Sequence, residues 1–297
     1  MFPPRHVYHV LLSNGSGLVL GRRPLVMGVL NVTPDSFADE RRLDTTHAVD
    51  TALAMQAAGA DIIDLGGEST RPGAVPVDAA EELRRVMPVL RGLAGRLTIP
   101  VSIDTYKADV ARAAVGEGAM IVNDISGLRY DPAMAKTVAQ CGAAIVLMHT
   151  RGRSSDMYAR AEYGDIVTDV AAELRESLDA AQAAGVPLAR VVIDPGIGFS
   201  KHPEHSYGLL ARIAELSVLL DRPVLAGPSR KSFMREALNR RPPAERDWGT
   251  AAAVTAAVLG GAHIVRVHAV GEMVQVVRVA EAIRAHGHVD TIGLATP

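Results

Sequence analysis

Cysteine is nearly absent from this chain: Cys141 stands alone, so no intramolecular disulfide can form. Net charge is nearly absent too, at −2, which removes the electrostatic case for nucleic acid or an anionic membrane as the main partner. Local basic residues can still bind anions. No apolar run has the length of a transmembrane helix, no stretch has the order of a signal peptide, and no linker divides the chain. These absences lead to the expectation of a single domain over residues 1–297 in a reducing, cytoplasmic setting.

What the chain does have is 48% hydrophobic residues in a length of 297, enough for a full core. The apolar residues fall in eight short runs, at 25–30, 61–65, 101–104, 120–125, 144–149, 191–194, 224–226 and 264–268. Each stops at a small cluster of Asp, Asn, Ser, Arg or His. The segments between most of them read as amphipathic helices: Leu83, Val86, Met87 and Leu90 share one face behind an Asp78 N-cap with Glu81 as capping-box partner, and Ile166, Val170, Leu174 and Leu178 form another stripe. Gly59, Gly118, Gly142, Gly185 and Gly261 each close a helical stretch before the next strand. The strands are continuously apolar, as when both faces are covered. The pattern predicts a (β/α)8 TIM barrel over 25–290 with its chemistry at the rim where the strands end. Residues 1–24 carry Asn14-Gly15 between two apolar segments, which predicts a β-hairpin closing the barrel floor.

The rim clusters are chemically specific. After the first strand comes Asn31-Val32-Thr33-Pro34-Asp35-Ser36-Phe37, too polar and proline-marked to continue a strand. Asn31 offers a neutral oxygen to hydrated magnesium, and Asp35 a charge that can stabilise nearby positive charge. The second strand ends in Gly66-Gly67-Glu68-Ser69-Thr70-Arg71-Pro72-Gly73, where Arg71 can meet an anion. Asp104 and Asn123 close the third and fourth strands and together can read the donor and acceptor edge of a flat heterocycle. Strand six ends in Asp194-Pro195-Gly196-Ile197-Gly198-Phe199, whose carboxylate can accept two parallel hydrogen bonds from a guanidine-like edge. Strand seven is followed by Gly227-Pro228-Ser229-Arg230-Lys231 and strand eight ends in Arg266-Val267-His268. Lys231 can donate to a ring carbonyl or nitrogen, and Arg266 and His268 alternate onto one face where both can meet a phosphate oxygen. Alone, each of these residues would read as a cap, a turn or a solvated side chain. Coincidence at eight strand ends makes that reading hard to sustain.

In this order, the Asn-x-Thr-Pro-Asp-Ser-Phe, Gly66–Pro72, Asp-Pro-Gly-x-Gly-Phe, Ser-Arg-Lys and Arg-x-His segments resemble the dihydropteroate synthase family, from about Leu25 to the end. The resemblance implies a barrel enzyme, usually a homodimer and a target of sulfonamides, that joins 6-hydroxymethyl-dihydropterin diphosphate to para-aminobenzoate with magnesium and releases diphosphate. It implies that Asp104, Asn123, Asp194 and Lys231 hold the pterin, with Met148 and Gly227 packed nearby. Asn31, Arg71, Arg266 and His268 would hold the diphosphate with the metal. Phe37, Thr70, Pro72, Phe199 and Ser229 would line the aminobenzoate site. Asp35, Asp104, Lys231 and Arg266 would carry catalysis, by positioning and electrostatics in a dissociative substitution.

The chain departs from the family after Phe37, where Ala38-Asp39-Glu40-Arg41-Arg42 replaces a polar residue and a glycine pair, and Ser200 stands where glycine is common. Two other readings compete. A pterin-dependent methyltransferase domain working with a corrinoid protein would share the barrel and the pterin contacts but hold no diphosphate, so the Ser-Arg-Lys and Arg-x-His segments favour the synthase. A non-catalytic paralogue would bind pterin without turnover.

Overall fold

In the computed structural model, which describes residues 2–32, 45–69, 75–153 and 156–287, each apolar run becomes a strand. These are β3 (Leu25–Asn31), β4 (Ile62–Gly66), β5 (Val101–Asp104), β6 (Ile121–Asp124), β7 (Ala144–Met148), β8 (Val191–Asp194), β9 (Leu225–Ala226) and β10 (Ile264–Val267). They pair in parallel in the order β8-β7-β6-β5-β4-β3-β10-β9. A bridge between Ile193 and Val224 joins the two ends, so the sheet closes on itself as a (β/α)8 barrel.

The helices form the outer ring: α1 (Thr45–Ala57), α2 (Ala79–Leu93), α3 (Ala108–Gly116), α4 (Met134–Cys141), α5 (Ile166–Ala183), the pair α6 (Pro203–Ala211) and α7 (Ile213–Leu220), α8 (Asp247–Leu259) and α9 (Val270–His286). Their buried faces are the predicted ones. Val86 and Leu90 of α2, and Val170, Leu174 and Leu178 of α5, are buried against the outward side chains of the strands. All five helix-closing glycines have positive φ, and at Gly142 a side chain would also strike Arg190.

Asp78 caps α2 by accepting a 2.8 Å hydrogen bond from the Glu81 amide. The reciprocal half of the predicted capping box is absent, because the Glu81 carboxylate is drawn instead to Arg84 and Arg85 at 2.7 Å. Two guanidinium partners outcompete one backbone amide for the same oxygens.

The hairpin of β1 (Tyr8–Leu11) and β2 (Gly17–Leu20) pairs Tyr8 with Leu20 and Leu11 with Gly17. Its turn spans 12–16, with the Leu12 amide donating to the Ser16 carbonyl at 2.9 Å and Gly15 at φ +83°. Val10, Leu12 and Leu20 are buried against Leu25, Ile62, Ile121, Ala144, Leu225 and Ile264. These lie at or beside the starts of their strands, so the hairpin plugs the floor. The opposite end stays open for chemistry.

Candidate active site

The open end gathers the polar strand termini. Asp104, Asn123, Met148, Asp194, Gly227 and Lys231 line one pocket with Arg266, Phe199, Ile125 and Ile197. All six residues expected to hold a pterin therefore face a common space. Gly227 leaves that space clear: a Cβ there would come within 3.9 Å of the second Asp194 carboxyl oxygen, Oδ2.

Strand alternation separates neighbours that the sequence leaves equivalent. Asn123 turns into the barrel, whereas Asp124 is spent on local structure, accepting from Ser126 N at 2.8 Å and Oγ at 2.6 Å and from Leu128 N at 2.8 Å. Asp194 does both. Its Oδ1 accepts from the Gly196 amide at 2.7 Å, which shapes the following turn and leaves Oδ2 toward the pocket. Burial raises its carboxyl above the usual range, with the Gly196 hydrogen bond and the Lys231 charge opposing.

Deeper in the barrel lies an acid that the sequence reading missed. Asp64, in the middle of β4 and fully buried, accepts from Arg266 Nε at 2.6 Å and from Asn123 Nδ2 at 2.9 Å. Arg266 Nη2 donates to Asp104 at 2.6 Å. One guanidinium thus ties two carboxylates together beneath the pocket. Burial works against the Arg266 charge, but Asp64 and Asp104 outweigh it and hold the guanidinium protonated. Asp104 is raised above the ordinary carboxylate range because burial outweighs the pull of Arg266. The signal for Asp64 was available: an acid inside Ile62-Ile63-Asp64-Leu65 is too costly to bury without a partner.

Arg266 and His268, expected to act as a pair, turn to different neighbours. The guanidinium reaches the acids of β4 and β5, whereas His268 Nδ1 lies 2.9 Å from Ser229 Oγ, and the His268 amide donates to the same oxygen at 3.2 Å. Ser229, expected in the aminobenzoate site, is therefore a partner of His268. Lys231 sits with its ammonium 3.6 Å from the Phe199 ring centroid, a cation–π contact at the pocket wall. Arg230 between them takes φ +59° and turns outward to pair with Asp247 through two 2.8 Å hydrogen bonds. Of the Ser-Arg-Lys segment, only Lys231 lines the pocket.

Asn31 ends β3 in register with Gly66, and a Cβ on Gly66 would meet Asn31 Oδ1 and Asp104 Cβ at 3.4 Å. The absent side chain brings Asn31 to the edge of the acid cluster. Asp35, Phe37, Thr70, Arg71 and Pro72 lie outside the described residues. The segment leading to Arg71 is anchored at Glu68, which pairs with Lys107 and accepts from the Tyr106 hydroxyl at 2.8 Å. Lys107 also pairs with the buried Glu82 of α2.

Comparison with known proteins agrees with this geometry. The profile of the pterin binding enzyme family matches residues 27–268. A dihydropteroate synthase of Mycobacterium leprae is 49% identical over 264 residues, covering 86% of this chain and 92% of that protein. The structure of Xanthomonas albilineans dihydropteroate synthase with 4-aminobenzoic acid superimposes with a TM-score of 0.87 at 41% identity, covering 94% of this chain and 99% of the other. That of the Burkholderia cenocepacia enzyme complexed with 7,8-dihydropteroate gives 0.84 at 39%, covering 95% and 99%. Likeness of this extent, in sequence and in fold, means that the chain belongs to the dihydropteroate synthases, transferases of the pterin-binding enzyme family.

Proposed function

We propose that the protein condenses 6-hydroxymethyl-7,8-dihydropterin diphosphate with para-aminobenzoate, giving 7,8-dihydropteroate and diphosphate. The observation that carries this reading is the convergence of Asp104, Asn123, Asp194 and Lys231 on one pocket at the barrel's open end. A pterin edge presents N–H donors beside acceptors, and these residues offer the complement. Asp194 accepts from the guanidine-like edge, Asn123 supplies an amide to a ring nitrogen, and Lys231 donates to the ring carbonyl or nitrogen. As the carbon–oxygen bond to diphosphate breaks, the electron pair leaves with the diphosphate and positive charge spreads from the exocyclic carbon into the ring. The aniline nitrogen then bonds to that carbon and passes one of its two protons to solvent water. An aniline carries no extra proton at neutral pH, so positioning and the nearby carboxylates supply the acceleration rather than a strong base.

Asn31, Arg71 and His268 are the residues we assign to the diphosphate, with Arg266 beneath it as support for Asp104. Magnesium fits this arrangement. Asn31 offers a neutral side-chain oxygen at the rim, among the described residues no cluster of three or more acids, histidines or cysteines forms a protein cage, and Mg2+ is commonly held by substrate phosphates and water. When bound it would neutralise charge on the leaving diphosphate. Phe37, Thr70, Pro72 and Phe199 are assigned to the aminobenzoate, with Ser229 acting through His268. A homodimer belongs to the same reading, and Trp248 of α8, 89% exposed, is a large apolar side chain that such an interface would cover. No helix of the described residues is long and apolar enough to cross a membrane; a cytoplasmic setting remains part of the proposal.

Formation of dihydropteroate from the two substrates tests the reading, and absence of product from folded protein would overturn it. Corrinoid-dependent methyl transfer in its place would point to the methyltransferase. Binding should be ordered, because Asp104, Asn123 and Asp194 sit on strand ends whereas the aminobenzoate site draws on rim loops that diphosphate helps organise. Calorimetry is expected to detect para-aminobenzoate only with diphosphate or the pterin diphosphate present; tight binding to the free protein would contradict this order. Lys231→Ala is expected to weaken pterin binding by about 1.5–3 kcal/mol, the worth of a charged hydrogen bond, and to lower turnover. An unchanged KM for the pterin diphosphate would remove Lys231 from the site.

A further inference from the structure

Lys201 is 1% exposed, and no step of the proposed reaction uses it. It closes the segment that begins at Asp194 and carries Phe199. Its Nζ lies 2.8 Å from His149 Nδ1 and donates to the Phe199 carbonyl at 3.0 Å. His149 follows β7, is fully buried, and has Nε2 3.1 Å from Glu173 Oε2 on α5. Burial holds its imidazole down to about 3, so the ring is neutral. Nε2–H donates to Glu173, and Nδ1 accepts from Lys201.

The same segment is tied down on both sides. The Arg151 amide donates to Ser200 Oγ at 2.9 Å, and the Tyr163 hydroxyl donates to the Ser200 carbonyl at 2.9 Å. Ser200 stands at φ +47°, a conformation that a serine keeps only under restraint. Gly196 passes so near His149 that a Cβ would lie 1.9 Å from its carbonyl oxygen. Phe199 therefore leaves this segment in a fixed direction. Its ring is the surface on which the Lys231 ammonium rests at 3.6 Å.

A buried lysine is an expensive way to fill space. Burial pushes its pKa down to about 7 against the pull of Asp194 and Glu173, and an apolar side chain of the same length would avoid that penalty. What the lysine supplies, and an apolar residue cannot, is a directed donor. We propose that Lys201 is a positioning residue for the substrate pocket: by donating to the Phe199 carbonyl and to His149, it fixes the aromatic wall against which Lys231 is placed. This rests on the assignment of Phe199 and Lys231 to substrate, and it adds a residue that acts only through them.

Lys201→Met removes the donor and keeps an unbranched stem. The expected result is KM for the pterin diphosphate raised about tenfold with kcat changed less, beside a melting temperature lowered by the two acceptors left without their donor. On a Phe199→Leu background the same substitution should change KM no further, since its route of action is already lost. A lower melting temperature with unchanged KM would mean that Lys201 serves the fold alone, and full additivity with Phe199→Leu would mean that it does not act through the ring. Either outcome overturns the proposal. If Lys201→Met does not fold, Lys201→Gln in the same cycle, with a shorter donor, separates the same outcomes. Dihydropteroate synthesis by the parent is measured first, so failure of the functional reading is distinguishable from failure of this inference.

Discussion

Arg266→Met is expected to destabilise the protein by about 3–5 kcal/mol and to abolish measurable pterin binding, because it leaves Asp64 and Asp104 buried without their shared cation. Chemical denaturation and pterin calorimetry read the two effects. The loss should depend on pH in a definite direction. Asp104 is already raised above its ordinary value by burial, and removing Arg266 raises it further. A carboxyl raised in the fold keeps a proton that the unfolded chain releases. Stability of the variant is then greatest below the unfolded value of about 4 and falls as pH rises toward the folded value. The deficit against the parent should be smaller at pH 5 than at pH 8. A deficit independent of pH, or retained pterin affinity, would mean that the guanidinium does not support the acids and is free to serve the diphosphate alone.

The second large effect is expected at Asp35, which lies outside the described residues and whose role is assigned from its place in the sequence after Asn31. Asp35→Asn should reduce turnover by roughly 10²–10³-fold while pterin affinity stays nearly unchanged, since the positive charge it would face exists only as diphosphate leaves. Single-turnover kinetics and pterin titration separate the two quantities. A change of only a few-fold in turnover, or loss of pterin binding, would reduce Asp35 to a cover or to part of the ground-state pocket. Glu40→Gly with Arg41→Gly introduces the glycine pair that the family resemblance implies for this segment. If the charged replacements slow closure or neutralise Asp35, that double variant turns over faster than the parent.

The barrel was legible because its signals are local. Continuous apolar runs, helical stripes such as Ile166, Val170, Leu174 and Leu178, and glycines at helix ends each report the backbone period of their own segment. Asp104, Asn123 and Asp194 were legible for a related reason, since the ends of parallel barrel strands gather at the open rim, whereas Lys231 was read from its own motif after β9 and Met148 and Gly227 came only with the family resemblance. Asp64 and Lys201 were not legible, although each carries a faint mark, an acid inside an apolar run and a lysine closing a motif whose earlier residues give the stronger signal. The capping role of Glu81 failed on competition, since its two arginine neighbours sit at helical spacing and reach its carboxylate first.

By itself, then, the sequence determined the element order, the hairpin, the closed parallel barrel and, among the described residues, rim side chains such as Asp104, Asn123 and Asp194, because strand and helix periodicity are properties of contiguous residues. Only the tertiary structure decided which of those side chains meet. Arg266 finds Asp64 across 202 positions and Asp104 across 162, Ser229 finds His268, and Arg230 turns away to Asp247. The two Arg266 pairings depend on strands far apart in sequence being brought together by the closed barrel, that of Ser229 with His268 on the adjacency of β9 and β10, and that of Arg230 on a left-handed backbone at a single residue. A charge in the interior takes whichever opposite charge the closed barrel brings within reach, and that choice is made by geometry which no local pattern encodes.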